Sequence, residues 1–162
     1  MQTIELETRI AAPARRCFLL SLSIDLHMQS TAGTRERAVA GVMTGLIGDG
    51  ESVTWEGRHF GFVLRHRSRI TRYEPPAYFQ DVMTEGLFKS FEHNHWFQEQ
   101  AGETVMRDEL KFSTPLGILG LMAERLVLRN YLTRFLRERN EFVRQTAESE
   151  TWREYLRRSE LL

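Results

Sequence analysis

Apolar residues change their spacing at Pro115, and few folds accommodate the change. From about residue 35 to Pro115 they recur at every second position, in runs bounded by turn signals. Beyond it they recur every three or four. Residues 35–44, 51–60, 61–73, 78–84, 88–98 and 104–113 read as six strands. "GDG" at 48–50 is a strong turn signal, "EPP" at 74–76 stops the third run, and "TEGLF" and "EQAGE" supply later turns. From about Ile118 to Ala147, Leu121, Leu128, Leu132, Phe135 and Phe142 recur at spacings of three, four and seven, the stripe of one long helix. That helix would measure roughly 45 Å at ~1.5 Å per residue. At the front, "QTIELETRI" (2–10) alternates as a strand. "AAPA" breaks it, with Pro13 suited to a helix start, and 14–30 reads as two short helices. The fold class is therefore α+β: a seven-stranded antiparallel sheet wrapped around a long C-terminal helix, with two short helices after strand 1. A strongly curved sheet closing on one helix leaves a cavity between them. Residues 1–148 read as a single domain and 149–162 as a C-terminal tail, helical or frayed.

The composition narrows the partners. Of 162 residues, 41% are hydrophobic and 27% charged, the balance of a globular chain of one domain. Basic and acidic residues match at 22 each, which removes the general electrostatic argument for a nucleic-acid partner. Cys17 is the lone cysteine, so no intrachain disulfide and no thiolate cluster can form. It sits in an apolar run and is expected in the core of a cytoplasmic protein. "ARRCFLLSLSI" (14–24) resembles a twin-arginine export signal, but its apolar run stops at Asp25 and Glu5 and Glu7 lie upstream, so export is not expected. No apolar run approaches the ~20 residues of a membrane span. No integral membrane segment is expected.

The order of elements resembles the helix-grip fold of the START-like, SRPBCC superfamily, and several stretches resemble it as well. "TRIAAPARRCF" is similar to its first strand running into a helix. "GLIGDGESVTWEGRHFG" resembles the second hairpin of its bacterial ligand-binding members. "SRITRYEPPAYFQDVMTEGLFKSFEHNHWF" resembles their central strands, and "PLGILGLMAERLVLRNYLTRFLRERN" their entry to the final helix. The resemblance spans about residues 2–147. It implies a cavity for a small hydrophobic ligand such as a lipid or polyketide-like molecule. It does not imply one activity, since some members carry ligands and others are cyclases.

Strand alternation nominates the cavity wall. In "FEHNHWF" (91–97), Phe91, His93, His95 and Phe97 share the face taken as inward, opposite Glu92, Asn94 and Trp96. In 104–112, Met106, Asp108, Leu110 and Phe112 face inward. In 60–70, Phe60, Phe62, Leu64, His66, Ser68 and Ile70 share a face. In 78–84 the choice between Phe79, Asp81, Met83 and their neighbours stays open. Trp55 and, on the helix, Leu119, Met122 and Leu126 complete the proposed wall.

Turn closure puts Asp108 opposite His93 or His95, and Asp81 beside Phe91 or His93. It puts His66 within a residue or two of Met83 and Asp81. A polar band of His66, Asp81, His93, His95 and Asp108 results. Three readings of it compete: a buried hydrogen-bonded network that orients a ligand; acid–base catalysis, with His93, His95 and Asp108 as candidates; and a metal site. The last is set aside because Glu92 faces away, and neither a metal nor a cofactor is expected. His27 is read as a surface residue, His59 as part of a turn, and the arginines of 125–144 as a solvated face. Two further functional classes are kept: a cyclase or aromatase-type enzyme, and a protein-interaction module using Trp152 and Tyr155 of the tail. The strand at 35–44 is expected at a sheet edge, where it could pair between chains.

Overall fold

In the computed structural model, residues 1–115 and 127–156 are described. The chain runs β1 (Gln2–Ile10), α1 (Ala14–Ser21), α2 (Ile24–Ser30), β2 (Arg37–Gly41), β3 (Ser52–His59), β4 (Phe62–Glu74), β5 (Tyr78–Glu85), β6 (Ser90–Gln100), β7 (Glu103–Ser113), α3 (Arg129–Glu148) and α4 (Trp152–Leu156). The strands form one seven-stranded sheet in the order β1-β7-β6-β5-β4-β3-β2, every pair antiparallel. Sequential hairpins build it from β2 to β7, and β1 closes the far side against β7. β2 lies at an edge, short and interrupted by an irregularity between Ala38 and Ala40.

The hairpin registers fix the inner face. His95 stands opposite Asp108, and Asp81 opposite His93. Two bulges shift β4 against β5, at Arg67/Ser68 and Ile70/Arg72, so Ser68 meets Met83 and Ile70 meets Asp81. The two bulges offset one another, since Glu74 pairs with Tyr78 and Arg67 with Glu85 in the same register. Pairing closes at Glu74 and Tyr78, a wider turn than expected, and this places His66 further along β5 from Asp81 than turn counting predicts.

Helix α1 starts after Pro13, and α2 is capped by Ser23, whose hydroxyl accepts the Leu26 N–H at 3.2 Å. Phe18 of α1 is buried among Tyr73, Phe79 and Phe97, with ring centroids 5.5–5.7 Å apart in edge arrangements. Cys17, Leu20, Leu22, Ile24 and Leu26 fill the same core, and burial pushes the Cys17 thiol up to about 11. A second cluster gathers Ile4, Leu110 and Phe112 of the sheet with Leu132 and Leu136 of α3. The buried stripe of α3 continues through Arg139, Asn140, Val143, Thr146 and Ala147. Residues 127 and 128 form a wider helical turn before it. The expected start near Ile118, with Leu121, lies outside the described residues. Trp152 lies under Arg16, 4.5 Å from guanidinium carbon to ring centroid, and Trp152 and Tyr155 pack against the core. Among the described residues no helix is long and apolar enough to cross a membrane.

Candidate functional site

A cavity of about 350 Å³ lies between the inner face of the sheet and α3. Sheet residues Trp55, Leu64, Ile70, Phe79, Phe91 and Leu110 supply an apolar wall, with Leu132, Phe135 and Leu136 of α3 opposite. His66, Asp81, His93 and His95 also line it, so strands β4, β5 and β6 bring four of the five members of the polar band to one surface. The fifth, Asp108, is fully buried behind the histidines.

The alternation of β6 gives the histidines their place. Asn94, between them, turns to the outer face, where it accepts from Tyr78 Oη at 2.7 Å and donates to Glu92 and Glu109 at 3.2 Å. His93 and His95 turn inward, with centroids 3.8 Å apart, and His95 stacks on Phe79 at 4.1 Å. Asp108 Oδ1 lies 3.1 Å from His93 Nε2 and 2.8 Å from His95 Nδ1. On the other side of the rings, Asp81 Oδ2 lies 3.0 Å from His95 Nε2 and 4.0 Å from His93 Nδ1. Asn140 donates to Asp108 Oδ2 at 2.7 Å, and Arg139 Nη1 is 3.5 Å from Asp108 Oδ1.

Burial alone would raise both carboxyls. Contacts with the histidines outweigh it, holding Asp81 at about 2 and Asp108 well below the usual carboxylate range. His93 is pushed the opposite way, below its ordinary value, first by burial and then by repulsion from His95. His66, bonded to Ser68 Oγ at 2.8 Å, is also lowered by burial.

Other nominated residues lie elsewhere. Phe60 takes a positive φ of 53° in the β3–β4 turn and is half exposed, yet it touches Tyr131 and lines the cavity there. Phe62 does not line the cavity and is 70% exposed: β4 pairs with β5 only from Arg67 onward, so the hairpin tip projects past its neighbours. Met106 and Phe112 are buried in the two core clusters, covered by α1 and by Phe88 with α3, rather than on the cavity surface. Met83 is not among the residues lining the cavity; its sulfur lies beside Gly86 at the β5 end. Leu119, Met122 and Leu126 lie outside the described residues.

The structure corrects three readings of polar residues. Arg139 is not solvated; it is buried and donates to Asn140 Oδ1 and to the Ser21 carbonyl at 3.2 and 3.3 Å. His27 and His59 both line the cavity, and their Nε2 atoms meet Glu36 at 2.7 and 3.1 Å. His59 Nδ1 takes the Tyr131 hydroxyl at 2.6 Å, and His27 stacks on Trp55 at 4.2 Å. Burial raises Glu36, but the two histidine hydrogen bonds override it and hold it at about 2. Sequence reasoning missed Glu36, Tyr131 and Asn140. A signal existed for Arg139 and Asn140, which fall seven and eight positions after Leu132 on the apolar stripe.

No family model matches the sequence, and no curated protein matches it significantly. Solved structures do match. The protein TTHA0849 from Thermus thermophilus superposes with a TM-score of 0.71 at 18% identity, over 91% of this chain and 100% of that one. Major latex-like protein 151 from Panax ginseng gives 0.67 at 13%, over 91% and 98%. The Zhui aromatase/cyclase from Streptomyces sp. R1128 gives 0.64 at 15%, over 90% and 95%. The chain has the START-like helix-grip fold of the SRPBCC superfamily. At these identities the likeness speaks for the fold, and the site must be read from its own residues.

Proposed function

We propose that this chain binds a small, largely apolar molecule with at least one oxygen function, of lipid or polyketide-like character, as a carrier or sensor. One observation carries the reading: an apolar cavity has histidine–carboxylate groups converging on its wall, His93 and His95 with Asp81, and His27 and His59 with Glu36. Ligand sites commonly have about 300–1,000 Å³ and pair an apolar lining with a few polar groups, and the cavity's 350 Å³ falls within that range. Apolar contact supplies affinity, at ~25 cal/mol per Å² buried before association costs. The polar groups fix orientation.

The test is native mass spectrometry of protein purified without added ligand, with organic extraction of the same sample, followed by uptake of an environment-sensitive apolar fluorophore. A co-purifying apolar molecule, or saturable uptake that the extract displaces, is the expected result. No bound molecule and no saturable uptake would defeat the reading.

A second reading has its own support. His93 lines the cavity with Asp108 3.1 Å behind its Nε2 and its Nδ1 still 4.0 Å from Asp81, a carboxylate-backed imidazole such as acid–base chemistry on a carbonyl uses, and one protein of the same fold is an aromatase/cyclase. Combining His93→Ala with His95→Ala separates the two: a cyclase loses turnover and keeps binding, whereas a carrier loses part of its affinity and has no turnover to lose.

A further inference from the structure

The histidine pair leaves part of its hydrogen bonding open. His93 Nε2, His95 Nδ1 and Asp108 Oδ1 are buried, within 3.1 Å of one another across the two His–Asp contacts, yet none makes an aligned hydrogen bond. A neutral imidazole carries one N–H and one lone pair. Without a metal, His95 Nε2 is aligned to donate to Asp81 Oδ2 at 3.0 Å. With the protons moved to the sides facing Asp108, as metal binding requires, His93 Nδ1 and His95 Nε2 turn their lone pairs toward Asp81 Oδ2. Two nitrogen lone pairs and a carboxylate oxygen then converge within 4.8 Å. In that tautomer the set repels itself unless a metal ion replaces the proton shared by His95 and Asp81.

We propose that Asp81 Oδ2, His93 Nδ1 and His95 Nε2 bind a divalent first-row transition-metal ion of the zinc and ferrous class. Two imidazoles and one carboxylate suit those ions, and the set leaves coordination positions free. All three side chains line the cavity, from β5 and β6, so the free positions face the space where a ligand sits. Asp108 is a positioning residue. Its one oxygen meets the far nitrogen of both rings, as the carboxylate behind metal-binding histidines does, and Asn140 and Arg139 hold it in turn. The charges agree. Asp81 and Asp108 contribute two negative charges and Arg139 one positive, so one negative charge is left for a cation to neutralise. With a divalent ion the site becomes net positive and draws a carbonyl or carboxylate oxygen. Glu92, the acidic neighbour in sequence, faces outward and takes no part. Asp81, from the adjacent strand, takes the place that sequence spacing could not assign.

This inference rests on the cavity reading for its ligand, but the two can fail separately. The full chain, stripped with a chelator, is titrated with Zn²⁺ by calorimetry and with Co²⁺ by visible absorption, which reports nitrogen and oxygen coordination directly. One ion per chain is expected, with binding abolished by Asp81→Asn and by His95→Ala. Asp108→Asn is expected to weaken it by about 10–100-fold. Asp81→Asn is isosteric at a partly open side chain and decides the matter if the others do not fold. No Zn²⁺ or Co²⁺ binding by the wild-type chain, or binding that Asp81→Asn leaves unchanged, overturns the proposal; in the first case the cation among these atoms is a proton. Fluorophore uptake by a chain that takes no metal sinks this inference and spares the cavity reading. Metal binding without fluorophore uptake does the reverse.

Discussion

Replacing Asp108 by alanine removes the acceptor that His93, His95, Arg139 and Asn140 share. Removing one partner of a buried charge group costs about 3–5 kcal/mol, because the remaining charge has no water to turn to. Urea unfolding of Asp108→Ala is expected to show a loss of that size. A loss no larger than that of an ordinary surface substitution would mean that the cluster contributes nothing net. At this scale the sequence was informative where a strand set the orientation. Alternation alone turned His93, His95 and Asp108 to one side, and the short β6–β7 turn set His95 against Asp108. It was poor where a partner came from a distant element. Glu36 precedes β2, and nothing near it announces His59 or Tyr131, which join it only after the sheet and α3 are in place.

Helix α1 is eight residues long, too short to persist without tertiary contacts. Its anchor is Phe18, which is 1% exposed and meets three aromatic rings of the sheet. Phe18→Ala is expected to cost about 3–5 kcal/mol, read from the denaturant midpoint; a cost below about 1 kcal/mol would fit only full collapse of neighbours into the space. The elements themselves were legible because their periods differ so clearly: each of the seven strands lies within about two residues of its expected bounds except β2, which is shorter at both ends. What escaped were the bulges of β4, which shift pairing by one residue between Ser68 and Ile70 and bring both Ile70 and Tyr73, three apart, to the core side. The projecting tip of the β3–β4 hairpin escaped as well. Phe62 has the right parity to face inward, but parity does not say whether anything packs there.

For the molecule as a whole, acid is the solvent change to which the cavity is most exposed. Glu36 is held at about 2 in the fold against 4.5 for a free side chain. A depressed carboxyl contributes stability above its unfolded value and loses it as pH falls through the folded one. The stability difference between the wild type and Glu36→Gln is therefore expected to be full above pH 4.5 and to close toward pH 2, measured by denaturant titration across that window. A difference that did not change with pH would show that the two histidines do not hold this carboxylate. The same cavity has unequal ends. Midway along α3, Arg139 and Asn140 reach through to Asp108 and the Ser21 backbone; near its start, Tyr131 meets the β3–β4 hairpin through one hydrogen bond to His59 and a ring contact with Phe60. The helix is bolted at one place and merely latched at the other. Undoing the latch forfeits a hydrogen bond of about 0.5–1.5 kcal/mol net, whereas drawing the bolt strips a buried ion pair at about 3–5 kcal/mol. Among the described residues, the latch beside the hairpin tip is therefore the contact between α3 and the sheet that parts at the lower cost.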